Sequence, residues 1–169
     1  MFFARAIQAL CDAGVDFVVI GGVSATFHGS ARVTYDLDVC YSREFANLQR
    51  LARALESFRP RPRGFPAGLP FVWDERTLRN GTVFTLETEI GEIDLLAEVL
   101  GVGGFDDVRR HSVPVAAFER EFAVLDLPGL VSAKRAAGRE KDLSALPELE
   151  GLLEARERFD QDAPEDGPG

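Results

Sequence analysis

Two aspartates separated by one residue are the clearest candidates for chemistry in this chain. Asp36 and Asp38 lie in a segment, residues 35–41, that alternates polar and apolar side chains and is therefore predicted to be a strand. Alternate side chains of a strand point to the same face, so both carboxylates are expected on one side of the sheet. Repelling carboxylates suit Mg²⁺, which takes one or two of them together with substrate phosphates. Taken alone, such a pair is more often a solvated strand end than a metal site.

A glycine pair lies upstream of these aspartates. Gly21 and Gly22 follow the apolar run 17–20, predicted to be a strand buried on both faces, and precede a short predicted helix over 23–28. Glycine allows close backbone approach, and the free N–H groups of a helix N-terminus attract phosphate. Ser24 is expected either to cap the helix or to contact a phosphate oxygen. The alternative is a plain tight turn, and neither a Walker loop nor a G-x-G-x-x-G fingerprint is present.

A third acid stands among apolar residues in the second arm of a predicted hairpin. Asp94 is flanked by Ile93 and Leu95, and a charge in an apolar strand is costly unless it is paired or binds a metal. Glu92 and Glu89 belong to the same hairpin and compete with it for the role of third carboxylate. An edge-strand acid that faces solvent is the other interpretation.

Further elements must position these residues. Periodicity predicts an amphipathic helix over 2–13 and another over 43–57. Prolines make 59–70 a long irregular loop, and a hairpin over 82–97 turns at Gly91. Short strands over 113–117 and 122–127 lead into helical structure from Pro128 to Glu157. We expect one domain over residues 1–157 and an acidic, disordered tail over 158–169.

Composition excludes several classes of protein. The chain has 169 residues and a net charge of −9, which argues against a protein that wraps long duplex nucleic acid. Two histidines argue against zinc sites and histidine-based triads, and a nucleophile-elbow motif is absent, so a serine or cysteine hydrolase is not expected. No apolar run reaches the ~18 residues of a membrane-spanning helix. Two cysteines and an N-terminus unlike a signal peptide predict a cytoplasmic protein.

The three acidic and glycine features occur together in a known order. Ile20-Gly21-Gly22, thirteen residues and then Asp36-Leu37-Asp38 resemble the signature of the DNA polymerase beta-type nucleotidyltransferases. Asp94 looks like the downstream strand aspartate of that superfamily. Residues 22–30 and 32–39 are especially similar to small bacterial members, the minimal nucleotidyltransferases and the abortive-infection type toxins. Residues 130–134 and 138–143 resemble their closing helical segment, so the resemblance spans about residues 15–155.

The resemblance implies a fold and an activity. The fold is α/β (α+β), a short mixed twisted β-sheet backed by helices with a C-terminal helical segment, in which the glycine unit and the aspartate strand lie side by side at the sheet edge. The activity is Mg²⁺-dependent transfer of a nucleoside monophosphate from an NTP to a hydroxyl acceptor. Two Mg²⁺ ions are implied, and two metals in such a site clamp the attacking and leaving oxygens.

The resemblance also implies a role for each residue of the motifs. Asp36 and Asp38 would bind both metal ions. Asp94 would complete the acceptor-side ion and help activate the hydroxyl. The β- and γ-phosphates would be held by the residues of the glycine turn, which are Gly21, Gly22 and Ser24.

Several cations and aromatic residues are weaker candidates. Arg32 and Lys134 are expected to reach the nucleotide, with solvated side chains as the alternative. The arginines of the proline-rich loop, Arg59, Arg61 and Arg63, would steer an acidic acceptor such as RNA or simply face solvent. Base stacking or packing is expected of the nearby aromatic residues, which are Phe65, Phe71 and Trp73. Packing is expected of His28 and Cys40.

The acceptor and the partners stay open at the level of sequence. The acceptor is a tRNA, a protein hydroxyl or a small molecule such as an aminoglycoside, and an antitoxin protein is a possible partner because one related class acts as toxins. No membrane and no long duplex nucleic acid are expected. The alternative is a catalytically degenerate module that binds a nucleotide or a partner, because fold does not prove function.

Overall fold

The computed structural model describes residues 2–164, which form seven helices and nine strands. The helices are α1 (Phe2–Asp12), α2 (Gly21–Phe27), α3 (Phe45–Glu56), α4 (Glu75–Arg79), α5 (Phe105–Arg110), α6 (Leu127–Ala137) and α7 (Glu140–Asp162). The strands are β1 (Phe17–Ile20), β2 (Asp36–Tyr41), β3 (Arg61–Pro62), β4 (Val83–Thr88), β5 (Gly91–Leu96), β6 (Glu98–Val99), β7 (Gly103–Gly104), β8 (Ser112–Ala117) and β9 (Arg120–Leu125).

Seven strands form one mixed sheet in the order β3-β4-β5-β2-β1-β9-β8. β2 runs parallel to β5 and β1 runs parallel to β9, whereas the other neighbours are antiparallel. The expectation of a mixed sheet backed by helices, with helical structure at the C-terminal end, is confirmed. The expected position of β1 and β2 is wrong, because they pair with each other in the middle of the sheet and not at its edge.

Helices cover both faces of the sheet. On one face, α1 and α3 pack through residues such as Ile7 and Leu51 against Leu37 and Val39 of β2. The opposite face packs against α2, α5, α6 and α7, where a second cluster gathers around Cys40 of β2. All four residues of β1 are buried, as its continuous apolar run predicts. Asp36 and Asp38 alternate with Leu37 and Val39 and therefore face α6 and α7.

Three sequence predictions need correction at element ends. The proline-rich loop contains a short edge strand, β3, which pairs with β4, and an edge position tolerates Pro62 because its missing N–H is not needed there. The short second helix begins at Gly21, two residues earlier than predicted. α7 continues through Asp162, so residues 158–162 of the predicted tail are helical. Residues 165–169 of that tail lie outside the described residues.

Two further findings bear on composition. Within residues 2–164, no helix combines the length and the apolar character needed to cross a membrane. Cys11 and Cys40 are both free thiols. Burial raises the pKa of the Cys40 thiol to about 12, so this side chain is a packing residue and not a nucleophile.

Candidate functional site

The parallel pairing of β2 with β5 brings four acidic side chains together. Their register places Asp36 opposite Glu92 and Asp38 opposite Asp94. Residues paired in register project to the same face of a sheet, so all four carboxyl groups face α6 and α7. The two segments that carry them are more than fifty residues apart in the chain. Strand pairing therefore builds an acidic cluster near the middle of the sheet.

The carboxylates of the cluster repel one another, which disfavours their ionised form. Asp38 has a pKa raised to about 7, first because the residue is buried and then because of the nearby charges of Asp94 and Asp36. A hydrogen bond with the Asp94 side chain raises the pKa of Asp38 further, and the charge of Lys134 lowers it. The pKa of Glu92 is likewise raised, mainly by a hydrogen bond shared with Asp36. A cation at this place would relieve the repulsion between the carboxylates.

The structure separates the three candidates for the third carboxylate. Asp94 lies beside Asp38 with 18% of its side chain exposed, and Glu92 lies beside Asp36 in the same cluster. Glu89 lies in the turn between β4 and β5, where its carboxylate pairs with Arg59 at 3.3 Å. Asp94 and Glu92 are thus brought to the aspartate pair, whereas Glu89 is not.

The acidic cluster has no ready-made metal geometry. In the part of the chain that the structure describes, no group of three His, Cys, Asp or Glu side chains is arranged to hold one ion as it stands. One oxygen of Asp94, Oδ1, instead accepts a hydrogen bond from Arg63 at 2.8 Å.

The glycine pair is required by the close approach of the aspartate strand. Gly21 has φ +64°, and the carboxylate of Asp38 lies where a Cβ of residue 21 would be. A Cβ on Gly22 would lie 2.7 Å from Oγ1 of Thr34. Both glycines line cavities beside the aspartates. The backbone at Gly21 therefore contacts the acidic cluster directly, which a side chain there would prevent, and Gly22 allows the close approach of Thr34.

Ser24 is placed differently from the expectation. Its side chain is fully buried, and its Oγ donates a 2.7 Å hydrogen bond to the carbonyl oxygen of Leu125. Nε2 of His28 lies 2.8 Å from the same carbonyl oxygen. The Ser24 hydroxyl therefore joins α2 to β9 in the core, and its predicted contact with phosphate does not fit this arrangement.

Two cavities meet at the aspartate pair. The larger, about 650 Å³, lies between the α2–β2 connection and α7. The smaller, about 350 Å³, lies between β4, β5 and α6. Both cavities are lined by Asp36, Asp38, Lys134, Arg139 and Lys141. The two cavities therefore adjoin at Asp36 and Asp38, and each is large enough for part of a substrate.

The two cavities differ in character. The larger one also contains Arg32 and the exposed ring of Tyr35, which gives it cationic groups and an aromatic surface. The smaller one contains Asp94 and Thr85 together with apolar side chains such as Val99 and Leu130. The first cavity therefore suits a polyanion that carries a ring, and the second offers more apolar surface beside the same three cations.

A buried carboxylate positions two of the shared cations. Asp142 is fully buried at the start of α7, and it accepts hydrogen bonds from Lys134 Nζ at 3.1 Å and Arg139 Nε at 2.6 Å. Burial alone would raise the pKa of Asp142, but the bonds from Arg139 and Lys134 outweigh it and hold that pKa below its usual value. Lys134 therefore lies beside the aspartate pair, and its contact with a nucleotide stays a prediction. No sequence pattern assigned a role to Arg139 or Asp142.

Arg32 connects the aspartate strand with α7. Its guanidinium donates to Oγ and the carbonyl oxygen of Ser144 at 3.2–3.3 Å. Nearby, Glu148 of α7 accepts hydrogen bonds from the Ser30 hydroxyl and the Ala31 amide. Arg32 thus lines the larger cavity, and the loop before β2 is tied to α7 at several points.

The arginines and aromatic residues of the proline-rich loop have specific partners. Arg61 donates to two carbonyl oxygens of its own loop, at Pro66 and Leu69. Trp73 donates through Nε1 to the Ala52 carbonyl, and the rings of Phe65 and Phe71 pack on each other. These side chains stabilise the loop, and Arg63 alone of the three arginines contacts the acidic cluster.

Comparison with known proteins adds no assignment to this geometry. No protein-family model matches the chain, and a search of curated proteins finds none that is significantly similar.

Proposed function

We propose that this protein is a Mg²⁺-dependent nucleotidyltransferase with the nucleotidyltransferase fold that its motifs resemble. One observation carries the proposal: the register of β2 with β5 sets Asp94 beside Asp38, and Asp36 and Asp38 lie next to the glycine turn where two cavities adjoin. The motif order in the sequence and the spatial cluster involve the same residues. Their agreement supports a common purpose for these residues.

The carboxylates are the groups that would hold the metal ions. Asp36 and Asp38 would contact two Mg²⁺ ions, and Asp94 would complete the ligands of the second. The raised pKa of Asp38 supports the fit, because crowded carboxylates of this kind are stabilised by a divalent cation. Bound Mg²⁺ supplies neutralisation of phosphate charge and activation of the attacking hydroxyl.

The two cavities suggest where the substrates lie. The NTP would occupy the larger cavity, with its phosphates toward Lys134, Arg139 and the backbone of Gly21 and Gly22. The acceptor would enter the smaller cavity beside Asp94. Its hydroxyl oxygen would attack the α-phosphorus, the bond from that phosphorus to the bridging oxygen would break, and pyrophosphate would leave. Asp94 would accept the hydroxyl proton.

The acceptor would belong to one of three classes, which are a tRNA, a protein hydroxyl or a small molecule. A cytoplasmic location and an antitoxin partner belong to the same proposal. A second candidate is a degenerate module that binds nucleotide without turnover. The contact of Arg63 with Asp94 favours it, because a carboxylate bound to arginine is not free for an ion.

A nucleotide-binding measurement tests the proposal without knowledge of the acceptor. Tm is measured with each of the four NTPs, with and without Mg²⁺, for the wild type and for the double variant Asp36→Ala/Asp38→Ala. Ligand at one hundred times its Kd adds about 2.7 kcal/mol, which raises Tm by roughly 5 °C or more in a chain of this size. We expect a Mg²⁺-dependent increase in the wild type that the double variant lacks.

The control variant removes two aspartates that are also separated by one residue but lie outside the candidate site. Asp160→Ala/Asp162→Ala changes exposed residues at the end of α7 and should keep the full nucleotide effect. An unchanged Tm with every NTP would contradict the proposal. If Asp94→Asn keeps the increase in Tm with Mg²⁺-NTP but loses a nucleotide transfer that the wild type performs, the degenerate module is excluded.

A further inference from the structure

Arg63 reaches the acidic cluster from the proline-rich loop. Its Nη2 lies 2.8 Å from Asp94 Oδ1, and its Nε lies 3.4 Å from Glu92 Oε1. Two of the four carboxylates of the cluster therefore share one guanidinium. The side chain is only 33% exposed, so this ion pair is shielded from solvent more than an ordinary surface pair.

The backbone holds Arg63 at this position. Its amide donates to the Thr85 carbonyl oxygen at 2.9 Å, directly after β3 pairs with β4. Arg61, two residues earlier, fixes the loop through bonds to the carbonyl oxygens of Pro66 and Leu69. The guanidinium is therefore delivered by an ordered segment, and its place beside Asp94 follows from the strand pairing.

Arg63 and a divalent cation need the same oxygen atoms. A guanidinium bound to Oδ1 of Asp94 satisfies one of the lone-pair sites that a metal ion would use. Two cations on one carboxylate also repel each other. Arg63 therefore occupies Oδ1 of Asp94, the carboxylate that strand pairing sets beside Asp38.

We propose that Arg63 is a positioning residue that holds Asp94 and Glu92 when no metal is bound and gives up Asp94 to the incoming cation. The inference rests on the proposed function, because it takes Asp94 to be a metal ligand. Arg63 then offsets the negative charge of the cluster in the resting protein and lowers its affinity for a divalent cation.

Mn²⁺ binding in the absence of nucleotide tests this proposal. Free Mn²⁺ is measured by electron paramagnetic resonance during titration of the wild type, Arg63→Gln and Arg63→Lys. Removal of the competing positive charge should tighten Mn²⁺ binding in Arg63→Gln by about tenfold, equivalent to about 1.4 kcal/mol. Arg63→Lys keeps the charge without the two-pronged geometry and should fall between the other two proteins.

A matched control keeps the effect specific. Arg59→Gln removes an arginine of the same loop that pairs with a glutamate outside the cluster, and it should bind Mn²⁺ as the wild type does. Equal or weaker binding by Arg63→Gln would overturn the role assigned to Arg63.

The outcomes separate this inference from the proposed function. Suppose that the wild type binds Mn²⁺, that Asp36→Ala/Asp38→Ala does not, and that Arg63→Gln binds it as the wild type does. The metal site would then stand, and the competition between Arg63 and the cation for Asp94 would be rejected. Absence of Mn²⁺ binding in the wild type and in all the variants would reject both the metal site and the role of Arg63.

A second measurement does not depend on how Arg63→Gln folds. The Nε–H resonance of Arg63 in the wild type, assigned by its absence from Arg63→Lys, should shift when Mg²⁺ is added. An unchanged resonance at saturating Mg²⁺ would overturn the proposal.

Discussion

At the scale of single residues, Asp38 has the most distinctive environment. It is half-buried against Gly21 with Asp36 and Asp94 nearby, and Lys134 is the cation that partly offsets their charge. Asp38 is therefore protonated more readily in the folded protein than in the unfolded chain. A local change in charge at this residue should be visible in the stability of the whole domain.

Asp38 predicts a pH dependence of metal-free stability. Its folded pKa of about 7 lies above the unfolded value, so the folded state binds more protons between the two values. Stability should therefore fall as pH rises from about 4 to about 7, and the loss should be complete above that range. Tm in EDTA, measured at about pH 5 and about pH 8, should decrease more in the wild type than in Asp38→Asn. Identical pH profiles for the two proteins would contradict the shifted pKa.

At the scale of elements, the β1–α2 turn is where two backbones approach most closely. The residue at position 21 needs both a positive φ and the absence of a Cβ, because Asp38 of the neighbouring strand fills that space. The prediction that glycine matters here came from the possibility of phosphate contact. The structure adds a second reason for glycine at position 21, the close approach of Asp38, which applies even when no ligand is bound.

Gly21→Ala should test this turn. A non-glycine residue at φ +64° and the contact with Asp38 should together lower the free energy of unfolding by about 1–3 kcal/mol. They should also displace the Asp38 carboxylate and weaken the Mg²⁺-NTP effect on Tm. Denaturant unfolding measures the first effect and the nucleotide titration the second.

Gly151→Ala is the matched control for that turn. Gly151 lies in α7 with open space around its Cβ position, so alanine should leave nucleotide binding intact and stabilise the helix by up to about 1 kcal/mol. Equal effects of the two substitutions would contradict the account of Gly21.

At the scale of the whole molecule, α7 closes the structure over the site. It begins with the buried carboxylate of Asp142, lines the larger cavity with Glu148 and anchors itself through Leu149 in the second core. Residues at opposite ends of the chain thus build one cavity. Packing of α7 should therefore be coupled to both stability and nucleotide binding.

Two leucines of α7 provide the comparison. Leu149→Ala removes a side chain that is 2% exposed and should cost about 2–5 kcal/mol of unfolding free energy. Leu143→Ala changes a side chain that is half exposed and should stay within about 0.5 kcal/mol. Chemical denaturation measures both, and the Mg²⁺-NTP effect should weaken only in Leu149→Ala. A small cost for Leu149→Ala would mean that α7 is not anchored there.

Much of the local structure was readable in the sequence because it depends on periodicity. The amphipathic pattern of α1 and α3, the continuous apolar run of β1 and the alternation of β2 each reflect burial of one face or of both. The same alternation put Asp36 and Asp38 on one side. The edge strand β3 has only two residues, which are too few to establish a period. The acidic composition of residues 158–162 does not distinguish the end of a helix from a disordered tail.

The sequence by itself determined which residues have chemistry to offer and, within each segment, which way they face. Only the tertiary structure decided their neighbours: that β2 pairs with β5 in a register that sets Asp38 beside Asp94, that Arg63 binds Asp94, and that Asp142 holds Lys134 and Arg139. The physical reason is distance along the chain. Side-chain direction follows from backbone geometry a few residues long, whereas the contacts of Asp94 with Asp38 and Arg63 arise from strand pairing between segments far apart in the chain. The bond from Lys134 to Asp142 depends on the packing of α6 against α7, and only the pair of Arg139 with Asp142, three residues apart, is local.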